Sequence, residues 1–589
     1  MRVVGAIAGL MGEGEPDQAA LQRMLEIVPH RGSSVATTTV GGGALGIVEG
    51  RWSSLGGHGR WKCAFLGPLD NGPDLARELS IGSDEPADVV AAAFARWGGE
   101  AAQRLRGAFA GIVTDGDIGW AFRDHVGGRT FFYRHDGVSW WGATEAKQVI
   151  AGANLARRPD IAAVTRTYFR GTSPDSALQG VKRLMYGGLL SFDDTSVSES
   201  RHWDPDRSML ESRDVTPDQA REELRELLAV AIGRTVHGSD AVALSGGIDS
   251  PMVAAFAAPA HLAKSQRSLG AYTFVYPDHL TVDESRYTKL VAEALDIELA
   301  EVVPTASPLD DIERWVYLAD GPWDSTPMSV AAQGYSAAAE LGANQVLTGT
   351  LAEYLFTINR FLLGHLASHG RWRALRRLLA VRRKAGRSRR SLARQLMREL
   401  TPAPVARAYS VARRRRSTFF PPWTHPEVVG GSRYTTALRD PIRERWSRPT
   451  LSATRGTTTT SEAIEACAAS IGVTVRHPLA DRDLWEFFLS LPVDVLYPDT
   501  TPKSFVRQTL RGLLPDEILD RRDKTVFDEN VLASVPWDTL TAYLTSPEVR
   551  IEGIDYELLE ERLRARALEP VELVWAYDLA TVHAFLEGF

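Results

Sequence analysis

The chain has 589 residues and a mass of 64.6 kDa, which at ~150 residues per domain corresponds to two large domains or to three or four smaller ones. Its 44% hydrophobic and 24% charged residues are typical of globular proteins and exclude a disordered, collagen-like or coiled-coil chain, while its two cysteines, Cys63 and Cys467, exclude a disulfide scaffold and a Cys-x-x-Cys site. The net charge of −7 by itself indicates no nucleic-acid partner.

The amino terminus combines Met1 and Arg2 with nine apolar or glycine residues at positions 3–11. A short signal sequence has this pattern, but strand-like sequence follows directly and no clear cleavage site stands out, so a buried first strand is the favoured interpretation. No uninterrupted run of ~18 apolar residues is present, which argues against a membrane-spanning helix. The sequence therefore predicts a cytoplasmic protein without a membrane span.

Short strands separated by glycine and aspartate turns dominate residues 1–205. Only a few helical patterns interrupt them, among them residues 16–27 and 88–97. This arrangement predicts an α+β domain, and the charged residues that follow Asp204 and Pro205 predict a linker.

Helices alternate with short β-branched or aromatic runs in the second region, residues 206–589, which opens with a predicted helix at 217–236. The runs are residues 241–244, 271–276, 298–303 and 345–348. Such alternation predicts a parallel sheet covered by helices on both faces, with ligands bound at the carboxyl ends of its strands.

The loop after the first of these strands has the sequence Leu244-Ser245-Gly246-Gly247-Ile248-Asp249-Ser250. Its two glycines remove the Cβ atoms that would hold a phosphate away from the loop and helix amides. The two serines can donate hydroxyl groups, and Asp249 can hold a hard divalent cation. A tight strand-to-helix turn would explain the glycines but not the serines and the acid, so the sequence predicts a phosphate-binding loop, which differs from the Walker A pattern.

A basic insert occupies about residues 366–416. Residues 371–416 contain seventeen Arg or Lys residues and one acid, Glu399, which gives a net charge of +16 against −23 for the remaining chain. Leucine spacing predicts two amphipathic helices, separated at Gly386 and ended at Thr401 and Pro402. A solvated helical face and a surface for an acidic peptide, a lipid or RNA remain alternatives.

The 245–250 loop resembles the pyrophosphate-binding loop of the asparagine synthetase type of ATP pyrophosphatase. Matching segments follow in order through most of the chain, and the basic insert is the least matched part. They are residues 30–32, 104–110, 123–124, 127–129, 145–147, 181–184, 201–203, 272–274, 283–285, 347–349, 476–481, 503–507, 514–515 and 521–527. The resemblance implies that residues 1–205 form an α+β sandwich like that of N-terminal-nucleophile hydrolases, of glutamine amidotransferase type. It also implies that residues 206–589 form an α/β ATP pyrophosphatase domain with a parallel sheet, which uses ATP and Mg²⁺.

The nucleophile of the amidotransferase domain is absent from the sequence. Glutamine-dependent relatives attack glutamine with a cysteine that follows the initiator methionine, whereas this chain has Arg2 there and Gly5 in the corresponding segment, with no cysteine before Cys63. We therefore expect a degenerate first domain that makes no ammonia by this route.

The resemblance also implies roles for residues of the second region. Nucleotide contacts are expected from the 244–250 loop and, in addition, from Thr273, Phe274 and Gly349. Lys503 corresponds to a lysine that contacts phosphates, and Lys524 to one that stabilises an oxyanion.

Two further positions depart from the family pattern. Leu351, Ala352 and Glu353 replace a Gly-Gly-Asp triplet, so Glu353 would share Mg²⁺ with Asp249 through a side chain longer by one carbon-carbon bond. Thr350 replaces the tyrosine of β-lactam synthetases, which counts against a β-lactam product.

Three acidic positions have competing interpretations. Glu462 and Glu465, three residues apart on one helix face, supply a candidate proton acceptor, with Glu462 preferred, although acids near a helix N-terminus would show the same pattern. Thr281 and Glu284 fit the first and last positions of a helix capping box, which is favoured over a direct catalytic role for Glu284.

Loss of ammonia production implies that the nitrogen nucleophile arrives on a substrate. Relatives with this loss are β-lactam synthetases, carbapenam synthetases and lasso peptide cyclases, and chain length and the basic insert favour a cyclase that joins an Asp or Glu side chain to the N-terminal amine of a core peptide. Expected partners are this precursor peptide, a leader peptidase and a leader-recognition protein. An ammonia-dependent asparagine synthetase, an RNA-modifying enzyme and a non-catalytic binding protein remain alternatives, with nucleic acid disfavoured.

Overall fold

The computed structural model describes residues 3–589 with the exception of 13, 170–172, 194, 204–211, 280, 325, 357–361, 385, 403–404, 406–419, 426–456, 497, 499–500, 523–534 and 546. Residues 204–211 of the linker predicted at 204–215 lie outside the described residues, as does the distal part of the basic insert.

The first region forms two antiparallel sheets. Its strands are β1 (Ala6–Met11), β2 (Val35–Val40), β3 (Gly43–Val48), β4 (Ser53–His58), β5 (Trp61–Leu66), β6 (Ala110–Thr114), β7 (Ile118–Arg123), β8 (Phe132–His135), β9 (Trp140–Ala143), β10 (Lys182–Arg183), β11 (Gly188–Asp193) and β12 (Val197–Arg201). Its helices are α1 (Gln18–Glu26), α2 (Gly72–Leu79), α3 (Pro86–Trp97), α4 (Ala101–Arg104), α5 (Ala146–Gly152) and α6 (Ile161–Tyr168).

These sheets stack face to face as the central layers of an α/β/β/α sandwich. Their strand orders are β10-β8-β9-β1-β3-β2 and β12-β11-β7-β6-β5-β4. Apolar residues from both sheets, including Ile7, Ile47 and Ile112, form the layer between them, while α1 and α5 cover one outer face and α3 covers the other. The predicted α+β sandwich is confirmed, and so is the buried first strand, because all six residues of β1 are buried.

The second region contains a five-stranded parallel sheet. Its strands are β13 (Asp240–Ala243), β14 (Gly270–Phe274), β15 (Glu298–Val302), β16 (Gln345–Leu347) and β17 (Thr474–Arg476). Its described helices are α7 (Pro217–Thr235), α8 (Asp249–Ser265), α9 (Ser285–Leu295), α10 (Ile312–Ala319), α11 (Met328–Glu340), α12 (Ala352–Phe356), α13 (Leu362–Ser368), α14 (Trp372–Lys384), α15 (Arg389–Leu400), α16 (Thr457–Ile471), α17 (Arg482–Ser490), α18 (Val493–Leu496), α19 (Ser504–Thr509), α20 (Asp516–Asp520), α21 (Trp537–Thr545), α22 (Tyr556–Arg564) and α23 (Pro570–Leu586).

The strand order of this sheet, β15-β14-β13-β16-β17, places β13 at its centre. The chain moves outward from β13 to β14 and β15, and then returns to the other side of β13 with β16. Parallel sheets bind ligands at such a reversal of strand order, beyond the carboxyl ends of the strands. The fold therefore brings the loops after β13 and β16 to the position where a ligand crevice is expected.

One apolar core joins the two regions. Leu21 and Met24 of the first region belong to the same buried cluster as Trp315 and Trp575 of the second, and the ring of Tyr168 meets that of Trp575 edge-on at 5.4 Å. The contact between the regions is therefore an interior rather than a mobile interface.

Buried ion pairs cross the same contact. The guanidinium of Arg31 is fully buried and makes a bidentate pair with Glu465 of the second region, at 2.7 and 2.5 Å, and its Nε donates to Glu145 at 2.5 Å. Lys147 pairs with Glu145 and, across the contact, with Asp320 at 3.1 Å. Burial alone would raise the pKa of Glu465, but the charge and hydrogen bonds of Arg31 more than offset it and lower that pKa below its ordinary value.

Among the described residues, no helix has both the length and the apolar character that crossing a bilayer would require.

Candidate functional site

The loop between β13 and α8 is closed by its own serines. The backbone N–H of Ser245 donates to Oγ of Ser250 at 2.9 Å, and the two hydroxyl oxygens also lie 2.9 Å apart. Leu244 is buried and its N–H donates to the carbonyl of Tyr272, whereas Ser245 and Gly247 are exposed. The loop thus presents a serine and a glycine to solvent at the N-terminus of α8, where helix amides favour an anion.

Lys503 contacts Asp249 at the first turn of α8. Its Nζ lies 2.6 and 2.5 Å from the two carboxylate oxygens of Asp249, although the two residues are 254 positions apart. Lys503 has a φ of 59°, in the left-handed region that non-glycine residues rarely adopt. The structure therefore brings together two of the predicted site residues, one acidic and one basic, beside the loop.

The loop after β16 packs directly against the start of α8. A Cβ on Gly349 would lie 2.5 Å from the backbone nitrogen of Ser250 and 2.6 Å from the carbonyl carbon of Asp249, so only glycine permits this approach. Leu351 has a φ of 76°, a conformation that favours glycine, the residue that the family resemblance implies at this position. Glu353 is exposed in the first turn of α12, four residues beyond Gly349.

The predicted metal ligands do not form a preassembled cage. No group of three or more His, Cys, Asp or Glu side chains suited to a metal occurs among the residues that can be described. Asp249 and Glu353 nevertheless carry the oxygen donors that Mg²⁺ prefers, and Mg²⁺ is often held by one or two carboxylates together with phosphate oxygens. The donor set fits an ion that arrives with the triphosphate.

Thr273 and Phe274 end β14, next to the loop. Ala243 pairs with Tyr272, so these two residues extend beyond the last residue of β13 along the loop. Thr273 is buried and Phe274 is partly buried. The other predicted lysine, Lys524, lies outside the described residues, and its role remains a prediction.

Glu284 holds the loop from the side. Its Oε2 accepts the N–H of Gly246 at 2.9 Å, and its Oε1 accepts from Nη1 of Arg521 at 2.9 Å. The same Nη1 donates to the carbonyl of Gly246 at 2.7 Å, and the guanidinium lies over the ring of Tyr287 at 4.1 Å. The capping-box interpretation was wrong, because the helix begins at Ser285 rather than after Thr281.

We expect Glu284→Ala to weaken nucleotide binding at least about tenfold, because a hydrogen bond to a charged group is worth about 1.5–3 kcal/mol and the substitution removes the carboxylate that accepts from the loop amide of Gly246 and from Arg521. Glu284→Gln, which preserves the shape, should have a smaller effect. Titration of the protein with ATP by calorimetry measures the change. Glu517→Ala is a matched control, since Glu517 pairs with Arg286 on the surface at 2.5 Å. Equal affinities for Glu284→Ala and the control would rule out a role in positioning the loop.

The structure corrects the role of Glu462. Its Oε1 accepts from Nε of Arg183 at 2.7 Å and lies 3.7 Å from Nη1 of Arg123, and both arginines belong to the first region. Glu465 pairs with Arg31, as described above. The two acids share a helix face, as their spacing predicts, but that face packs against the first region. Glu462 is therefore an ion-pair partner between the regions rather than an accessible proton acceptor.

No described cysteine is available as a nucleophile. Cys63 and Cys467 are both buried, and burial raises the pKa of the Cys63 thiol well above its ordinary value and that of Cys467 to about 12. Gly5, the position that the family resemblance implies for the nucleophilic cysteine, adopts a φ of 93°, and a Cβ there would lie 2.6 Å from Oγ of Ser53 and 2.9 Å from the carbonyl oxygen of Val48. The space for a nucleophilic side chain is filled.

We expect Gly5→Cys to yield no glutaminase activity and to lower the free energy of unfolding by about 1–3 kcal/mol, because the residue would be strained and would collide with the backbone. Glutamate release from glutamine and urea denaturation measure the two effects. Gly137→Cys tests the strain alone, since Gly137 also has a positive φ of 100° but a Cβ there meets no atom within 4 Å. Glutamate formation by Gly5→Cys would contradict the interpretation of a closed site.

Comparison with known proteins agrees with these two regions. Residues 223–573 match the asparagine synthase family, and residues 4–203 match the glutamine amidotransferase domain. A Mycobacterium tuberculosis protein provisionally named glutamine-hydrolysing asparagine synthetase is 25% identical over 573 residues, which cover 88% of this chain and 85% of the relative. Glutamine-hydrolysing asparagine synthetase 3 of Bacillus subtilis is 24% identical over 227 residues, and this match spans only 36% of either chain.

Solved structures give weaker likenesses. Glutamine phosphoribosylpyrophosphate amidotransferase from B. subtilis, complexed with ADP and GMP, covers 58% of this chain and 81% of its own, with 14% identity and a TM-score of 0.26. A glutamine aminotransferase class-II domain protein from Silicibacter pomeroyi covers 34% and 91%, with 13% identity and a TM-score of 0.18. Scores of this size support no inference about the chain. The match over residues 223–573, by contrast, spans more than half of it, and the chain belongs to the asparagine synthase family.

Proposed function

We propose that the protein is an ATP-dependent, AMP-forming cyclase. It adenylates an Asp or Glu side chain of a core peptide and closes a macrolactam with the peptide's N-terminal amine, as in lasso peptide biosynthesis. Its partners would be the precursor peptide, a leader peptidase and a leader-recognition protein, and its compartment the cytoplasm.

One contrast carries the proposal. Beside the 245–250 loop, Asp249 and Lys503 form an ion pair poised for a nucleotide, whereas the position of the amidotransferase nucleophile is filled by the packing of Gly5 against Ser53. An enzyme that activates a carboxylate but makes no ammonia needs a nitrogen nucleophile from elsewhere. An amine on the same substrate supplies it, with the advantage that ring closure needs no second encounter.

Family membership supports ATP-dependent amide formation, the general part of this function. The asparagine synthase family and the names of the relatives describe ligases that form an amide with ATP, and the chain is an enzyme of this kind. The identity of its acid and amine substrates is the finer part of the proposal.

The proposed reaction has two steps. A carboxylate oxygen bonds to the α-phosphorus of ATP, and the bond from this phosphorus to the bridging oxygen breaks and releases pyrophosphate. The amine nitrogen then bonds to the acyl carbon, AMP departs with the carboxylate oxygen, and the proton of the amine passes to solvent. The sum is the loss of one water from the peptide.

The loop residues have distinct tasks in these steps. Ser245, Gly247 and the amides at the start of α8 would hold the phosphates, and Lys503 would move from Asp249 to the phosphate oxygens. Lys524 would stabilise the oxyanion of the second step. Asp249 and Glu353 would hold Mg²⁺, which supplies positive charge to the departing pyrophosphate.

Two other ligases of the family remain alternatives. A β-lactam synthetase-like enzyme would close a small ring, although Thr350 stands where those enzymes have a tyrosine. An ammonia-dependent asparagine synthetase-like enzyme is favoured by the names of the relatives and would convert aspartate and ammonium to asparagine.

A direct assay tests the proposal. The purified protein is incubated with ATP, Mg²⁺ and leader-free candidate peptides, and products are followed by mass spectrometry and nucleotide chromatography. We expect AMP and a peptide lighter by one water. Formation of asparagine from aspartate and ammonium would favour the asparagine synthetase-like alternative. Release of ADP, or no consumption of ATP with any substrate, would contradict the cyclase and both alternatives.

A further inference from the structure

The described part of the basic insert presents an unneutralised cationic face. Helices α14 and α15 and their connection expose ten basic residues, here called the arginine surface: Arg373, Arg376, Arg377, Arg383, Lys384, Arg387, Arg389, Arg390, Arg394 and Arg398. Glu399 is the one acid in residues 371–400, and it accepts from Gln395 at 2.7 Å and from the N–H of Gly364 at 2.8 Å. None of the ten forms an ion pair with another described residue.

The apolar sides of the two helices are already used. Leu375 and Leu378 of α14 join Leu362, Leu363 and Leu366 of α13 in a small separate cluster, against which Leu396 of α15 also packs. The cationic residues therefore face solvent because the other faces pack inward. Trp372, Met397 and Leu400 remain exposed, at 57%, 69% and 43%, but three separate side chains among cations do not form the broad apolar face that enters a bilayer.

The residue type indicates recognition rather than solubility. Nine of the ten residues are arginine, whose planar guanidinium binds a carboxylate or phosphate through two parallel hydrogen bonds. A surface that serves only solubility mixes both signs of charge, whereas this one concentrates a single sign on a chain whose remaining residues carry a net negative charge.

The arginine surface is connected to the candidate site. The insert leaves the sheet after β16, at the edge where the 245–250 loop lies, and returns in β17. At the start of α14, Arg371 pairs with Asp494 of α18 at 2.7 Å, nine positions before Lys503. Because α18 contacts α19, which begins directly after Lys503, a chain bound along α14 would start near the element that follows this lysine.

We propose that the arginine surface binds an acidic segment of the peptide substrate and so delivers the reacting carboxylate to the loop; this inference rests on the proposed function. The 13 residues of α14 extend over ~20 Å, which is the length of about six residues of extended peptide. Single-stranded RNA is the less suitable anion, because its binding sites combine charge with several stacking aromatic rings and Trp372 is the one exposed aromatic residue described on these helices.

Fluorescence anisotropy with the full-length protein, without ATP, tests the binding. The probe is a labelled peptide in which six Asp or Glu residues alternate with Gly and Ser, and the reference peptide has Asn and Gln instead. We expect only the acidic peptide to bind, and Arg376→Glu/Arg377→Glu to weaken it roughly tenfold or more through like-charge repulsion. Arg77→Glu/Arg564→Glu is the matched control, since these side chains are 79% and 71% exposed elsewhere, and should bind normally.

Several outcomes would overturn the inference. The first two are equal binding of the acidic and the reference peptide, and binding of the acidic peptide by Arg376→Glu/Arg377→Glu that equals that of the native protein. The third is tighter binding of oligouridine, with displacement of the acidic peptide. The fourth is cosedimentation of the protein with phosphatidylserine vesicles that the same variant abolishes. The proposed function is tested separately, by measuring AMP formation. If the protein closes a ring and Arg376→Glu/Arg377→Glu leaves its KM for the peptide unchanged, the docking surface alone is refuted. If the acidic peptide binds specifically but no peptide gives AMP, the cyclase function alone is refuted.

Discussion

Lys503→Met is expected to reduce AMP formation by roughly 10²–10³-fold, the usual cost of removing one preorganised group that stabilises transition-state charge. The ammonium of Lys503 sits 2.6 Å from Asp249 at the start of α8, on a backbone held at a φ of 59°. Non-glycine residues persist in that conformation where their surroundings fix them, often at functional sites. Exchange of labelled pyrophosphate into ATP measures the first chemical step directly.

The control for this substitution is Lys289→Met. Lys289 pairs with Glu301 at 2.9 Å and is 52% exposed, so its removal should leave the exchange rate unchanged. Thermal unfolding of both variants should differ little from that of the native protein, because neither lysine lies in the core. An exchange rate for Lys503→Met within a factor of two of the control would exclude contact between Lys503 and the nucleotide.

Glu465→Ala is expected to lower the free energy of unfolding by about 3–5 kcal/mol, because it leaves the buried guanidinium of Arg31 with part of its charge uncompensated. Glu560→Ala, which removes a surface pair with Arg564, should change it by less than about 0.5 kcal/mol. Urea denaturation followed by tryptophan fluorescence and by circular dichroism gives both values. A loss below about 1 kcal/mol for Glu465→Ala would contradict a structural role for this ion pair.

The same pair predicts a pH dependence. Because Arg31 lowers the pKa of Glu465 in the folded protein below its ordinary value of 4.5, the pair contributes its full stability above that value. The contribution is lost as the pH falls through the lower pKa of the folded state. Glu465→Ala should therefore lose less stability than the native protein when the pH is lowered from 6 to about 3.

Local sequence patterns were sufficient for the sheet and the loop. Strand and helix signals at 217–348 predicted α7 and β13–β16 to within two residues, because β-branched runs and glycine turns act over short distances. The glycines and Asp249 predict a phosphate-binding loop for the same reason, since all of them lie within seven consecutive positions.

Contacts between distant segments could not be predicted in this way. The i, i+3 spacing of Glu462 and Glu465 placed both on one face, but spacing does not reveal that the face meets Arg31, 434 positions away. Glu284 accepts from Gly246, 38 positions earlier, and from Arg521, 237 positions later, whereas the spacing of Thr281 and Glu284 indicated only a local capping motif. The resemblance of residues 283–285 to a family segment was a second signal, but it did not reveal these contacts.

The shared core of the two regions has an evolutionary consequence. An amidotransferase-like domain that makes no ammonia would be expected to be dispensable, yet Leu21, Met24 and Tyr168 belong to the same apolar core as Trp575, and Arg31 pairs with Glu465 of the other region. A gene that lost the first region would encode a second region with an exposed apolar surface and with the Glu465 carboxylate deprived of its arginine partner. Selection for a folded second region would thus preserve the amidotransferase scaffold whether or not the scaffold itself makes ammonia.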